Sequence, residues 1–218
     1  MVRNHFGHSI AKDEAFLELY GRLYRQKVLL QTISEAYNLW DLCRSTGEFS
    51  NADIAEAGVY KGGSARLMCG VRGARNLHLF DTFGDHGGMP ETSAGIDPIH
   101  RKGDFGDSRL DQVKQLFSGE SHIHFYPGFF PATAASLTNL QFSLVHLDMD
   151  IYQSTLDGLI FFWPRVVTGG VIISHDYSCN GNAGVKKAFD EFFAGQKVLR
   201  IRLWDTHVVV VKPPHDGQ

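Results

Sequence analysis

The chain has 218 residues, 43% of them hydrophobic, and a formal net charge of -3, enough to bury one sizeable core and hardly two. Its 21 lysines and arginines are scattered among 24 acidic residues, which excludes the basic footprint of a nucleic-acid or anionic-membrane binder and points to a small-molecule partner. No apolar run reaches the roughly 18 residues of a membrane span, and the opening MVRNHFGHSI lacks the apolar core of a signal peptide, so a cytoplasmic protein is expected.

Neither repeats nor a linker divide the sequence, so one domain over 1–218 is expected, with an N-terminal helical extension (1–50) before a core (51–218). In the extension Phe16, Leu19, Tyr20 and Leu23 fall at helical spacing, and Ile33, Ala36, Tyr37, Trp40 and Cys43 repeat the pattern after a break. Two amphipathic helices follow from this, and Tyr20, Tyr24 and Trp40 suggest a surface for a homo-oligomer. The runs DIAEAGV, NLHLFDTF, HIHFYPG, QFSLVHLDMD and GVIISHDY read as strands separated by helix-length segments. That alternation implies an α/β fold whose mostly parallel sheet is covered by helices on both faces. After the helix-like GVKKAFDEFFAG, VLRIRLWDTHVVVVKPP reads as two strands around Asp205 and Thr206, an antiparallel hairpin at a sheet edge. Cys43, Cys69 and Cys179 are odd in number and lack CxxC spacing, so neither a disulfide framework nor a zinc site is expected.

In open sheets of this kind ligands bind beyond the carboxyl ends of the strands. The first end, IAEAGVYKGGSARLM, carries Gly58, Gly62 and Gly63 into a helix starting near Ser64, so that backbone and unpaired N–H groups can approach a ligand. It lacks the dinucleotide spacing GxGxxG. The next strand ends at Asp81, placed to accept the hydroxyls of a ribose, and the two ends together specify a nucleoside-containing cofactor. Glu56 suits the amino group and sulfonium of S-adenosylmethionine better than a pyrophosphate. After the third strand, Gly128, Phe129 and Phe130 offer an aromatic wall for adenine, although both phenylalanines read equally well as core. Asp148 and Asp150 end the fourth strand, and His175 and Asp176 end the fifth. Asp148, His175 and Asp176 can therefore converge on a divalent ion, while Asp150 is expected to cap a helix beginning near Ser154.

Several stretches resemble the macrocin O-methyltransferase family of metal-dependent class I methyltransferases. AEAGVYKGGSARLM is similar to its first cofactor motif and FDTFGDHGGMPE to its second. HRKGDFGDSRLDQVKQLF and YPGFFPAT resemble the segments around the third strand, and LDMDIYQSTLDGLIFFWPRVVTGGVIISHDY the metal-site block. The likeness covers roughly residues 50–192. It implies a Rossmann-like class I methyltransferase fold with a seven-stranded sheet, S-adenosylmethionine over the strand ends, and Mg2+ or another divalent metal such as Mn2+ beside it. Carried over, the cofactor residues are Glu56, Ala57, Gly58, Tyr60, Gly62, Ser64, Asp81, Thr82, Ser108, Gly128, Phe129, Phe130 and Asp148.

The family's metal carboxylates fall on Asp148 and Asp176, with His175 where the family carries another aspartate. His175 is open to two roles, third ligand or base, and Asp148 and His175 are the candidate catalytic residues. The implied activity is methyl transfer to a hydroxyl of a small molecule such as a sugar or other natural product. The stretch TFGDHGGMPETSAGIDPIHRKGDFGDS is too long for an ordinary connection and reads as a lid, in which His86 and His100, with Asp85, Arg101 and Lys102, offer substrate contacts. Tyr152 and Tyr177 offer stacking beside the metal site. A DxD-bearing glycosyltransferase and a noncatalytic S-adenosylmethionine-binding protein are the competing readings.

Overall fold

A computed structural model of the chain describes residues 8–92 and 95–214. The opening MVRNHFG, on which the leader expectation rests, Ser93 and Ala94 of the long loop, and residues 215–218 lie outside the described residues. Each run read as a strand forms one: β1 (Asp53–Ala57), β2 (Leu77–Asp81), β3 (Ile123–Pro127), β4 (Phe142–Leu147) and β5 (Val166–Ser174). They pair in parallel in the order β3-β2-β1-β4-β5. Parallel neighbours need long crossovers, and these carry α4 (Gly63–Val71), α5 (Leu110–Leu116) and α6 (Tyr152–Phe162); α7 (Ala183–Phe192) follows β5.

The last two strands, β6 (Leu199–Arg202) and β7 (Val208–Val211), are antiparallel to each other as expected. They do not lie in chain order, because β7 inserts antiparallel beside β5 and leaves β6 as the edge. Composition explains the exchange. Val208, Val209 and Val210 are buried, whereas every residue of LRIR in β6 is exposed, so the strand that is apolar on both faces takes the covered position.

One face of the sheet packs on α6 and α7 through Phe142, Leu147, Phe162, Val185 and Phe189. The other packs on α4 and on α3 (Ile33–Phe49) through Leu39, Cys43, Ile54, Met68, Leu144 and Ile173. Ahead of α3 run α1 (His8–Lys12) and α2 (Glu14–Arg25). The helical spacing read from the sequence buries Phe16, Leu19 and Leu23 of α2 against Ala36 and Trp40 of α3 and Leu67 of α4. Trp40 is therefore buried, not part of an open aromatic surface, and its Nε1 donates to Asp13 Oδ2 at 3.0 Å. The other carboxylate oxygen of Asp13 caps α2 by accepting from Phe16 N, also at 3.0 Å. Of the three aromatic residues, Tyr24 alone is exposed.

The parallel ladder runs one residue past the strands. Gly58 N donates to Phe80 O at 3.0 Å, and Gly128 N to Asp81 O, Asp148 N to Ala57 O and His175 N to Leu147 O, each at 2.9 Å. At that edge Gly58 has φ +87°, and a Cβ there would stand 1.7 Å from Asp148 O. Gly58→Ala is therefore expected to lower the unfolding free energy by more than about 2 kcal/mol in urea titrations. Gly73→Ala is the comparison: its φ is +64° with nothing within 4 Å, and backbone strain alone should cost about 1 kcal/mol. Equal losses in the two variants would contradict the close approach of β1 to β4.

Candidate active site

Beyond the strand ends lies a cavity of about 340 Å3, a size suited to small-molecule sites. Gly58, Tyr60, Ser64, Asp81, Thr82, Gly128, Phe129, Phe130, Asp148, His175 and Asp176 all line it. Ala57, Gly62 and Ser108 stand behind these residues, outside the lining. The Ser108 hydroxyl is spent on Phe105 O at 3.3 Å.

Asp81 has a structural role. Its Oδ2 accepts from Val59 N at 2.7 Å and Tyr60 N at 2.8 Å, and its Oδ1 from Phe83 N at 2.5 Å. Tyr60 and Phe83 have φ of +49° and +44°, conformations that bulky L-residues adopt only under constraint. The carboxylate thus clamps the glycine turn to the end of β2. Burial pushes its pKa up despite the three N–H donors that favour the charged form. An ionised carboxylate has about four lone-pair sites, so one remains for a ligand.

Asp148, at the end of β4, and His175 and Asp176, at the end of β5, converge. Each offers a ligand atom, all within 4.8 Å of one another. His175 Nδ1 lies 3.3 Å from Asp148 Oδ1 and 3.1 Å from Asp176 Oδ1. The buried Nδ1 makes no hydrogen bond despite these two neighbours. Adjacent ligands of a six-coordinate ion with bonds of about 2.1 Å stand about 3 Å apart, so the donor set fits a divalent cation. In the absence of a metal, burial pushes the His175 pKa down, but Asp148, Asp176 and Glu35 outweigh it and hold the imidazole well above its usual range, and a cation bound among these donors would take the place of the proton on Nδ1. Asp148 is held below the carboxylate range in spite of burial, mainly by the charge of His175. Asp150, half-buried, is pushed well above it by desolvation and by the neighbouring charges of Asp148 and Asp176.

Asp150 does not cap α6. The N-cap residue is Ile151 and has no side-chain bond, while Asp97, from the long loop, accepts from Tyr152 N through Oδ1 at 3.0 Å. Asp150 instead takes φ +62°, which turns its carboxylate into the cavity lining; Asp176 has φ +65°. Helix α6 begins at Tyr152, two residues before the expected start near Ser154.

Glu56 lies beneath the cavity, not in it. It is fully buried, stands opposite His146 in the β1–β4 register, and its Oε1 is 2.7 Å from His146 Nδ1. The tyrosines also turn away from the lining: Tyr152 OH donates to Glu191 at 2.6 Å and the buried Tyr177 OH to Asp190 at 2.9 Å. His86 is exposed outside the lining. His100 is also outside it, its Nε2 3.2 Å from Asn182 Oδ1, fastening the loop to the start of α7. Sequence reasoning missed Glu35, in α3, and Gln31, in the connection ahead of α3, which approach the cavity from the N-terminal extension, and Met89 and Phe105, which reach it from the long loop.

This arrangement of strand ends is matched by sequence. The model of the family described as macrocin O-methyltransferase (TylF) matches residues 45–207, about three-quarters of the chain. The chain belongs to the macrocin O-methyltransferase family. The 8-demethyl-8-(2,3-dimethoxy-alpha-L-rhamnosyl)-tetracenomycin-C 4'-O-methyltransferase of Streptomyces olivaceus is 30% identical over 141 residues, 58% of this chain and 53% of that protein. The demethyldecarbamoylnovobiocin O-methyltransferase of Streptomyces niveus is 28% identical over 137 residues, 57% of this chain and 52% of that protein. This chain spans about half the length of the curated relatives it matches. Among solved structures, the O-methyltransferase NovP is similar at a TM-score of 0.73 and 24% identity, covering 83% of this chain and 80% of that one. The sheet order and this likeness give the macrocin O-methyltransferase family member a class I methyltransferase fold.

For this family member the clamp makes a prediction that ribose binding alone does not. Asp81→Ala leaves three N–H groups without their acceptor and is expected to lower the stability of the ligand-free protein by at least about 2 kcal/mol, read from urea unfolding. An unchanged midpoint would mean that Asp81 serves only a ligand.

Proposed function

We propose that the chain is an S-adenosylmethionine- and divalent-metal-dependent O-methyltransferase acting on a hydroxyl of a small natural product, with a sugar hydroxyl as the leading class. The observation that carries this reading is the charge of the cavity. Five carboxylates line it, from Glu35, Asp81, Asp148, Asp150 and Asp176, with no lysine or arginine among the described lining residues. Such a wall suits a cofactor that carries a sulfonium and an ammonium, together with a metal ion. It suits poorly the diphosphate of a nucleotide sugar, and this weighs against a glycosyltransferase. The relatives named above, whose names give a rhamnosyl-tetracenomycin and demethyldecarbamoylnovobiocin as the compounds they methylate, support the acceptor class.

When bound, S-adenosylmethionine supplies an electrophilic methyl group and a divalent ion lowers the pKa of the acceptor hydroxyl. Asp148, His175 and Asp176 are the residues that would hold the ion. Gly58 and Ser64 line the cavity at the turn after β1, and the exposed ring of Phe129 stands after β3, where a purine can stack, while Phe130 packs into the core with its ring stacked on Phe162. Met89, Pro90 and Phe105 bring apolar surface from the long loop to the cavity, which excludes water from the reacting groups. Nδ1 of His175 faces Asp148 and Asp176 and Nε2 faces Glu35, so neither nitrogen is turned to a substrate hydroxyl. Asp148 keeps about a quarter of its side chain exposed and is the residue placed to take the proton, with His175 as a ligand.

Asp148→Asn is expected to reduce transfer of a labelled methyl group from S-adenosylmethionine to hydroxylated glycosides by about 100-fold or more, with the folded state retained by circular dichroism. Full activity in that variant would remove Asp148 from the mechanism.

A further inference from the structure

The cavity receives one carboxylate from outside the Rossmann-like core. Glu35, in the first turn of α3, has two oxygens with separate roles. Its Oε2 accepts from Thr32 N at 2.9 Å and Thr32 Oγ1 at 2.8 Å, closing a capping box at the start of the helix. Its Oε1 accepts from Thr206 Oγ1 at 2.8 Å, in the turn between β6 and β7, and stands 3.5 Å from His175 Nε2. A capping box accounts for the first oxygen and leaves the second unexplained. One hydroxyl, that of Thr206, holds that second oxygen beside the ring that follows β5.

His175 is consequently placed between carboxylates of two kinds. Asp148 and Asp176 lie on its Nδ1 side, and among the described residues Glu35 is the carboxylate within 4.0 Å of Nε2. An imidazole that binds a metal through Nδ1 must carry its proton on Nε2, and an acceptor beside Nε2 selects that tautomer and fixes the plane of the ring. Metal-bound histidines usually have such a partner. We propose that Glu35 is the positioning residue for His175, so that the N-terminal helix α3 supplies the outer half of the metal site. The inference rests on the proposed binding of a metal by Asp148, His175 and Asp176. It gives the helical extension a chemical role, because the ring that replaces the family's aspartate faces, 3.5 Å from Nε2 and without a hydrogen bond in the metal-free site, a carboxylate of α3 that Thr206 of the β6–β7 turn holds in place.

The test is calorimetric titration of the full chain with Mn2+, together with the visible absorption spectrum of the Co2+-loaded protein. Glu35→Gln keeps the size of the side chain and removes its charge. It is expected to weaken Mn2+ binding by about 10-fold or more and to shift the Co2+ bands. Asp13→Ala serves as a destabilised control, because it removes the cap of α2 and the partner of Trp40 without touching the site. That control should lower the melting temperature while leaving the Mn2+ affinity and the Co2+ spectrum unchanged. Wild-type affinity and spectrum in Glu35→Gln would overturn the inference, as would an equal loss of affinity in Asp13→Ala. A wild-type protein that binds neither ion would overturn the metal reading and this inference with it.

Discussion

The constraint on which the site depends is the common ending of the parallel strands. Ala57 pairs with Phe80 and Leu147, and Leu147 pairs with Ser174, so β1, β2, β4 and β5 stop at one level. The ladder bonds that continue to Gly58, Gly128, Asp148 and His175 then place a glycine, a glycine, a carboxylate and an imidazole along one edge. A one-residue slip in a strand would turn each of its side chains to the opposite face. Backbone pairing therefore does what no local sequence preference can: it brings Asp148 and His175, 27 positions apart along the chain, to within 3.3 Å.

Beneath that edge the sheet is unusually polar on the face that meets α3 and α4. Glu56, His146 and His207 are fully buried, and the rings of His146 and His207 lie 6.1 Å apart, those of His207 and His175 5.2 Å. Buried polar groups of this kind are tolerated when they are paired: Glu56 bonds His146, whereas both ring nitrogens of His207 lack a hydrogen-bond partner among the described residues, and only its backbone N bonds Asp205. The row ends at Glu35. The N-terminal helices thus cover a polar seam as well as an apolar one, which explains why α3 packs against the sheet and α4 and is not a loose appendage.

Much of the fold is legible in the sequence because it is written in periodicity. The strand runs and the spacing of Phe16, Leu19 and Leu23 are local signals, and all of them form the elements they suggest. What is not legible depends on long-range geometry. Asp97 caps α6 from 55 residues away, so Asp150, the near candidate, misleads. Helical spacing puts Trp40 on the apolar face of α3, but the partner of its indole N–H, Asp13, precedes another helix, and only the packing of α2 and α4 shows that the ring is covered. The inversion of β6 and β7 follows from the contrast between LRIR and VVVV, a signal that is present in the sequence but is decided only when the sheet has an interior place to fill. At the site, Asp148, His175 and Asp176 can be named from their strand ends, whereas Glu35 reads in the sequence as a helix cap and shows its second contact only in three dimensions.

Binding of S-adenosylmethionine beside a divalent metal at this edge is tested most directly by calorimetry. Metal-free protein is titrated with S-adenosylmethionine, and separately with a uridine diphosphate sugar, each with and without Mn2+. Saturable binding of S-adenosylmethionine and of Mn2+, with no heat from the nucleotide sugar, is the predicted result. Metal-dependent binding of the nucleotide sugar without any binding of S-adenosylmethionine would contradict the account and make the carboxylates a diphosphate site.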